Sequence, residues 1–253
     1  MRDILDAVAA GDLSPAEAEV ELRGYASVAA GRFDAARERR RGVPEAILGA
    51  GKTADEIATL AATAVETTDR AIVTRVDDEG ASAVTEALTT SAPDAHITRD
   101  ERSRTLVAHA SDFEPPAVDA SVGIVTGGTA DATAAGEAAV IASEMGAEID
   151  RVEDVGVAGI ARVLDRIDRL READVLIVAA GREGALPTVV AGLVDLPVIG
   201  LPVSSGYGFG GDGEAAIAGL LQSCTVLSVV NVDAGFVAGA QAGLIVRAIA
   251  EER

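Results

Sequence analysis

One thiol, Cys224, stands in the stretch LLQSCTVLSVVNVDAGF, and the chain holds no other cysteine. Two readings of it are open. It is a small hydrophobe packed among aliphatics, or it is a nucleophile that needs a base and positive potential nearby. Candidate bases are few. The only two histidines, His96 and His109, lie in the first half of the chain. Serine–histidine chemistry is therefore closed to the second half, and one cysteine with two separated histidines does not make a zinc cluster. No metal site is expected, and acid–base work falls to carboxylates. In AAGREGALP, Glu183 lies between an apolar strand-like run and an apolar helical run. It is either a charge complementing a helix N-terminus or a general acid/base.

Two further stretches have the makings of anion sites. VTGGTADAT joins two glycines and two threonines to the start of a helical run. Backbone N–H groups and the helix dipole would suit a phosphate there; a tight strand-to-helix turn is the alternative. It lacks the G-x-G-x-x-G spacing of a dinucleotide fingerprint. GAGKT imitates a P-loop, but the required glycine is Ala46 and the preceding RRRGVPEAIL does not read as a strand. Arg37, Arg39, Arg40, Arg41 and Lys52 nevertheless gather in one short region. They meet an anion or form a solvated helix face.

The elements that must hold these residues fall into two styles. Residues 1–117 read as a small α+β domain. SPAEAEVELRGY opens a short helix, and Thr53 with Glu56 makes a capping box for the helix TADEIATLAATAV. RAIVTRV and RTLVAHA are short β-runs around the helical ASAVTEALTT. SDFEPPAVD is a linker. Residues 118–253 alternate aliphatic strands with helices: SVGIVTGG, DATAAGEAAVIASEMG, IARVLDRIDRLREA, DVLIVAAG, GALPTVVAGLV, LPVIGLPV, EAAIAGLLQS, TVLSVVNVDAG and FVAGAQAGLIVRAIAEER. That rhythm predicts βαβ units and a parallel sheet covered on both faces. Ligands of such sheets bind outside the carboxyl ends of the strands, where TGGTADA, EDVGVAG, AAGREGALP, PVSSGYGFGGDGE and NVDAGF collect the domain's glycines and hydroxyls.

Composition narrows the partners. The 253 residues carry a formal charge of −20, which repels phosphate backbones and anionic lipid. Neither nucleic acid nor a membrane is expected. Hydrophobic residues are 49% of the chain, with no Trp and only six Phe and Tyr, so the core must be aliphatic. Lys52 is the only lysine. An acidic, lysine-poor chain suits a salt-rich cytoplasm that screens self-repulsion, or comes from a GC-rich genome. The charged start MRDILDAVAAGD is no signal peptide, and a cytoplasmic location is expected.

With these motifs in view, SVGIVTGGTADATAAGEAA and AAGREGALPTVVAGLVDLPVIGLPVSSGYG resemble the aminoimidazole ribonucleotide carboxylase (PurE) fold family. That resemblance implies a flavodoxin-like three-layer domain after the small α+β domain. The histidine of that enzyme's catalytic loop is missing from DVGVAGIAR, and Ala185 stands where another is expected. Across residues 30–245 the chain is more similar to the LarB family of nickel-pincer cofactor biosynthesis. FDAARERRRGVPEAILGAGKT, DVGVAG, GREGALP, GYG, QSC and VVNVDAGF follow its signatures in order. Departures are Ala161 for His, Arg182 for Met and Ala234 for Asn.

The LarB resemblance implies carboxylation of the pyridinium ring of nicotinic acid adenine dinucleotide with CO2. Hydrolysis of its phosphoanhydride then gives pyridinium-3,5-biscarboxylic acid mononucleotide and AMP. Cys224 is implied as the transient ring nucleophile and Glu183 as the base. Implied substrate contacts are Lys52, Arg41, Thr126, Gly127, Gly128, Thr129, Asp131, Asp154, Gly184, Ser204, Gly206, Tyr207, Gly208, Asn231 and Asp233. No cofactor is tightly bound, with Mg2+ an optional aid to hydrolysis. The resemblance also implies a homo-oligomer, an octamer, with sites at subunit interfaces. The alternatives are an aminoimidazole ribonucleotide carboxylase or mutase, and a nucleotide-binding regulatory module without catalysis.

Overall fold

The computed structural model describes residues 2–11, 18 and 22–253. Two compact units divide the chain, Met1–Glu114 and Pro115–Arg253. The helix expected over SPAEAEVELRGY falls largely outside the described residues.

The first unit contains α1 (Arg2–Ala10), a hairpin of β1 (Ala26–Val28) and β2 (Gly31–Phe33), and α2 (Arg37–Arg41). There follow β3 (Ile47–Leu48), α3 (Ala54–Thr68), β4 (Arg70–Thr74), α4 (Asp78–Ser91), β5 (His96–Asp100) and β6 (Thr105–His109). Helix α3 starts where the sequence says it should. The Thr53 side chain accepts from the Glu56 N–H, and Glu56 returns the bond to the Thr53 N–H. Its buried Ile57, Leu60, Ala61, Ala64 and Val65 recur at three- and four-residue spacing and pack with Val73, Val84, Leu88 and Leu106.

The sheet runs β3-β4-β6-β5, with β3 and β4 parallel and the other pairs antiparallel. Strand β5 (HITRD) and the hairpin add to the two β-runs legible in the sequence. The hairpin strands are only three residues long, and β5 is polar and a half-exposed edge paired with β6. A two-residue strand, β3, also precedes GAGKT, where none was expected.

The second unit runs β7 (Ser121–Thr126), α5 (Ala132–Glu144), β8 (Glu148–Val152), α6 (Ile160–Leu164), α7 (Ile167–Leu170) and β9 (Val175–Ala180). It continues with α8 (Ala185–Ala191), β10 (Val198–Pro202), α9 (Glu214–Leu221), β11 (Ser228–Val229) and α10 (Gly235–Glu252). All five strands are parallel, in the order β11-β10-β9-β7-β8, which is the flavodoxin-like arrangement. Every residue of β9 and β10 is buried, as continuous aliphatic runs require when helices cover both faces.

Residues of α5 and α10 cover one face: Ala134, Ala138, Ala142, Ala238, Ala242 and Val246 meet Val122, Ile124 and Ile177. On the other, Leu170, Leu186 and Val190 meet Val125, Leu176 and Val178. The single helix expected over IARVLDRIDRLREA is two short ones, broken at Asp165–Arg166 with no Gly or Pro there; nothing in the structure explains the break. The strand expected over TVLSVVNVDAG shrinks to two residues because it pairs only with β10.

From β7 the chain turns to β8 on one side and then to β9 on the other. This reversal opens a crevice at the carboxyl ends of β7 and β9, where ligands of such sheets bind. Among the described residues, no helix is long and apolar enough to cross a membrane.

Candidate active site

Five loops meet at the carboxyl edge of the second unit. After β7, the Gly127 N–H donates to the Ala179 carbonyl of β9 at 3.1 Å. The Gly128 N–H donates to Asp131 Oδ2 at 2.8 Å. Ser205 Oγ, after β10, donates to Asp131 Oδ1 at 2.8 Å, so one carboxylate joins two loops. Thr126 Oγ1 accepts from the Asp154 N–H at 3.1 Å. Arg162 Nη1 holds Asp154 at both its carboxylate and its carbonyl, each at 3.1 Å. The Ser204 N–H donates to Asp233 Oδ1 at 2.9 Å, tying in the loop after β11, where Asn231 is exposed.

Two glycines let the backbones touch. A Cβ at Gly206 would lie 2.5 Å from the Arg182 nitrogen, and one at Gly156 would lie 2.5 Å from the Gly127 carbonyl oxygen. Thr126, Gly127, Gly128, Thr129, Asp131, Asp154, Gly184, Ser204, Gly206, Tyr207, Gly208, Asn231 and Asp233 thus share one edge. The expectation of free glycine amides is corrected: those of Gly127 and Gly128 already have acceptors, so an anion at this edge must draw on other donors. Sequence reasoning passed over Ser205 and Arg162, although SSGYG and GIAR carried them in view.

Asp131 is 5% exposed, and its burial pushes the carboxyl above the usual range, against the donors Gly128, Ser205 and Gly127. A carboxyl raised in the fold holds its proton more tightly there than in the unfolded chain. Stability is then lost as pH rises through the raised value. Asp131→Asn keeps an acceptor for Gly128 and removes the charge. Its melting temperature relative to the parent should be most favourable near about pH 7 and fall steadily behind towards about pH 4. Circular dichroism melts across that range test this; a gap independent of pH contradicts it.

Glu183 is exposed between two left-handed residues, Arg182 (φ 50°) and Gly184 (φ 67°). Its main chain is pressed against α9, since a Cβ at Gly219 would sit 2.4 Å from the Glu183 carbonyl oxygen. Among the described residues its carboxylate makes no hydrogen bond or ion pair, so it does not cap α8.

Cys224 is exposed within a single chain. It lies between α9 and β11. Because β11 is parallel to β10, this loop stands at the amino end of the sheet, away from the crevice. Thr225, its neighbour, lies near Gly192 at the far end of α8, where an added Cβ would meet Thr225 Cγ2 at 3.7 Å, and Ser223 Oγ and Thr225 Oγ1 are bonded at 2.7 Å. Glu183 stands before the first turn of α8, a helix about 10 Å long, and Thr225, next to Cys224, lies near its last turn.

Lys52 and Arg41 belong to the first unit. Lys52 Nζ donates to the Leu48 carbonyl at 2.8 Å across the GAGKT turn. Around Arg41, acids take up part of the basic cluster: Arg37 pairs with Glu45 at 2.7 Å, and Arg40 grips Asp34 with 3.0 and 2.7 Å bonds.

The two units correspond to two known families. Residues 25–110 match the LarB/PurE-like N-terminal domain, and residues 121–252 match AIR carboxylase. The chain belongs to the LarB family. It is 38% identical over 254 residues to an uncharacterized protein of Methanocaldococcus jannaschii, covering 98% of this chain and 97% of that one. The pairing of domains makes this LarB-family chain a PurE-like, carboxylase-related enzyme, and the family points to a nucleotide substrate.

Proposed function

We propose that this chain carboxylates the pyridinium ring of nicotinic acid adenine dinucleotide with CO2 and hydrolyses the phosphoanhydride. The products are pyridinium-3,5-biscarboxylic acid mononucleotide and AMP. The observation that carries the reading is an exposed thiol and an exposed carboxylate in a unit whose carboxyl edge gathers polar loops.

A pyridinium carbon meta to nitrogen is too electron-poor to attack CO2. The Cys224 thiolate forms a bond to the para carbon, the ring loses aromaticity, and the adjacent carbon becomes the nucleophilic end of an enamine. That carbon bonds to CO2, leaving an iminium. Glu183 takes the ring proton from the same carbon and restores the enamine. The C–S bond then breaks, sulfur leaves as thiolate, and the pyridinium is regained. In the second step water attacks phosphorus, and the bridging P–O bond breaks to release AMP. Donors at Thr129 and in the SSGYG loop would stabilise the charge growing on the phosphoryl oxygens.

The thiol and the crevice lie at opposite ends of the sheet within one chain. Homo-oligomeric assembly, octameric by the resemblance, with sites at subunit interfaces would bring such groups together. Exposed Leu221 and Val226 beside Cys224 support a covered surface there.

Mass spectrometry of products formed with 13C-labelled bicarbonate tests the whole reading. The dinucleotide should yield a labelled biscarboxylated mononucleotide and AMP. Turnover of aminoimidazole ribonucleotide instead would replace this reading with the PurE one, and nucleotide binding without turnover would leave a regulatory module.

A further inference from the structure

We infer that Tyr207, with Arg182 against one face of its ring, is the platform on which the adenine of the dinucleotide stacks, and that Arg182 is its positioning residue. This rests on the proposed substrate and assigns one half of it to a place.

Tyr207 leaves 78% of its surface exposed, and of the two exposed rings in this loop, Tyr207 and Phe209, it is the one held by a cation. The Arg182 guanidinium carbon lies 4.3 Å from the ring centroid, and Arg182 Nη1 donates to the Tyr207 carbonyl at 2.9 Å. One side chain thus fixes both the ring and the peptide that carries it. Arg182 does so from a left-handed backbone, φ 50°, a strained state for a residue with a Cβ, of the kind held at ligand clamps. Gly206, pressed on the Arg182 nitrogen, pins the loop between them.

The chemistry of this pair selects its ligand. With a guanidinium on one face, the ring's other face is a poor seat for a second cation such as the pyridinium, but a good one for a neutral purine. Its position agrees. Ser205, two residues earlier, is bonded to Asp131 of the loop after β7, so platform and loop are joined by at most about 7 Å of chain. A ribose bridges such a gap between a phosphate and its base. The adenylate half then lies at the carboxyl edge, which leaves the pyridinium to the flank of Glu183.

The chain lacks Trp, so Tyr207→Trp places a single reporter on the platform. In the full-length protein, AMP should quench its emission saturably, whereas ribose 5-phosphate and nicotinic acid mononucleotide at equal concentration should not. By calorimetry, Tyr207→Ala should weaken AMP binding on the order of ten-fold, as expected for one base stacked on an aromatic ring. Arg182→Ala should raise KM for the dinucleotide more than it lowers kcat, and Arg182→Lys should recover part of the loss. Labelled-CO2 uptake without AMP quenching overturns the platform alone. Quenching without uptake keeps the platform and overturns the carboxylation. Loss of AMP binding in Phe209→Ala but not in Tyr207→Ala also overturns the assignment.

Discussion

Cys224→Ala should abolish incorporation of labelled CO2 into the dinucleotide, by on the order of a thousand-fold or more, while the protein stays folded. The size follows from the chemistry: without the sulfur adduct the ring has no nucleophilic carbon, and the chain has no other thiol. The position makes the fold indifferent. Cys224 is exposed, and substitutions at such sites stay within about 0.5 kcal/mol. Glu183→Gln should fail later in the sequence. Loss of a general base costs about a hundred- to ten-thousand-fold, and the carboxylated ring should stay bound to sulfur. Intact-protein mass spectrometry should then show an adduct in Glu183→Gln that is missing in Cys224→Ala. Equal CO2 uptake by Cys224→Ala and the parent protein would remove the covalent route.

Gly239→Ala should destabilise the second unit, although propensity alone argues the reverse. In a free helix, Ala in place of Gly is worth about 1 kcal/mol of stability. Here α10 lies so close to α5 that a Cβ at Gly239 would sit 2.3 Å from the Ala138 carbonyl oxygen, with Gly235 equally tight on Ala134. Neither neighbour is the far end of a flexible side chain, so the helices themselves must part. Overpacking of this kind costs about 1–3 kcal/mol for small insertions, enough to offset the propensity gain. Gly239→Val should cost more, about 3 kcal/mol, which lowers the melting temperature by on the order of 10 °C. Val237→Ser, on the exposed side of the same helix, should leave it nearly unmoved. Denaturant titration of the three variants decides the matter: a Gly239→Ala protein more stable than the parent would show that the helices yield at little cost.

The sheet of the second unit was legible because burial on both faces leaves a continuous record: GIV, VLIVAA and VIGLP have no polar positions to confuse the reading. Strand β5 left no such record, since HITRD pairs at an edge and only Ile97 packs against the core. The capping box at Thr53 and Glu56 was legible from local chemistry alone. For the site, the rule that polar residues gather after parallel strands brought Thr126, Asp131, Asp154, Ser204 and Asp233 to one edge. It did not weigh that Cys224 precedes its strand, and for that reason stands at the other end. The bond between Ser205 and Asp131 could not be read, because it joins positions that only the topology makes neighbours. Gly235, Gly239 and Gly243 showed their spacing openly, but only the packed helices reveal what the spacing accommodates.

Both margins of the five-stranded sheet are unsuited to receiving another strand. At one side β8, EIDRV, exposes charged residues along its length; at the other, β11 offers two residues of ladder. Edges of this kind discourage open-ended strand addition and the fibrous growth it leads to. Copies of this chain that associate are therefore expected to meet through helices and loops rather than by lengthening the sheet.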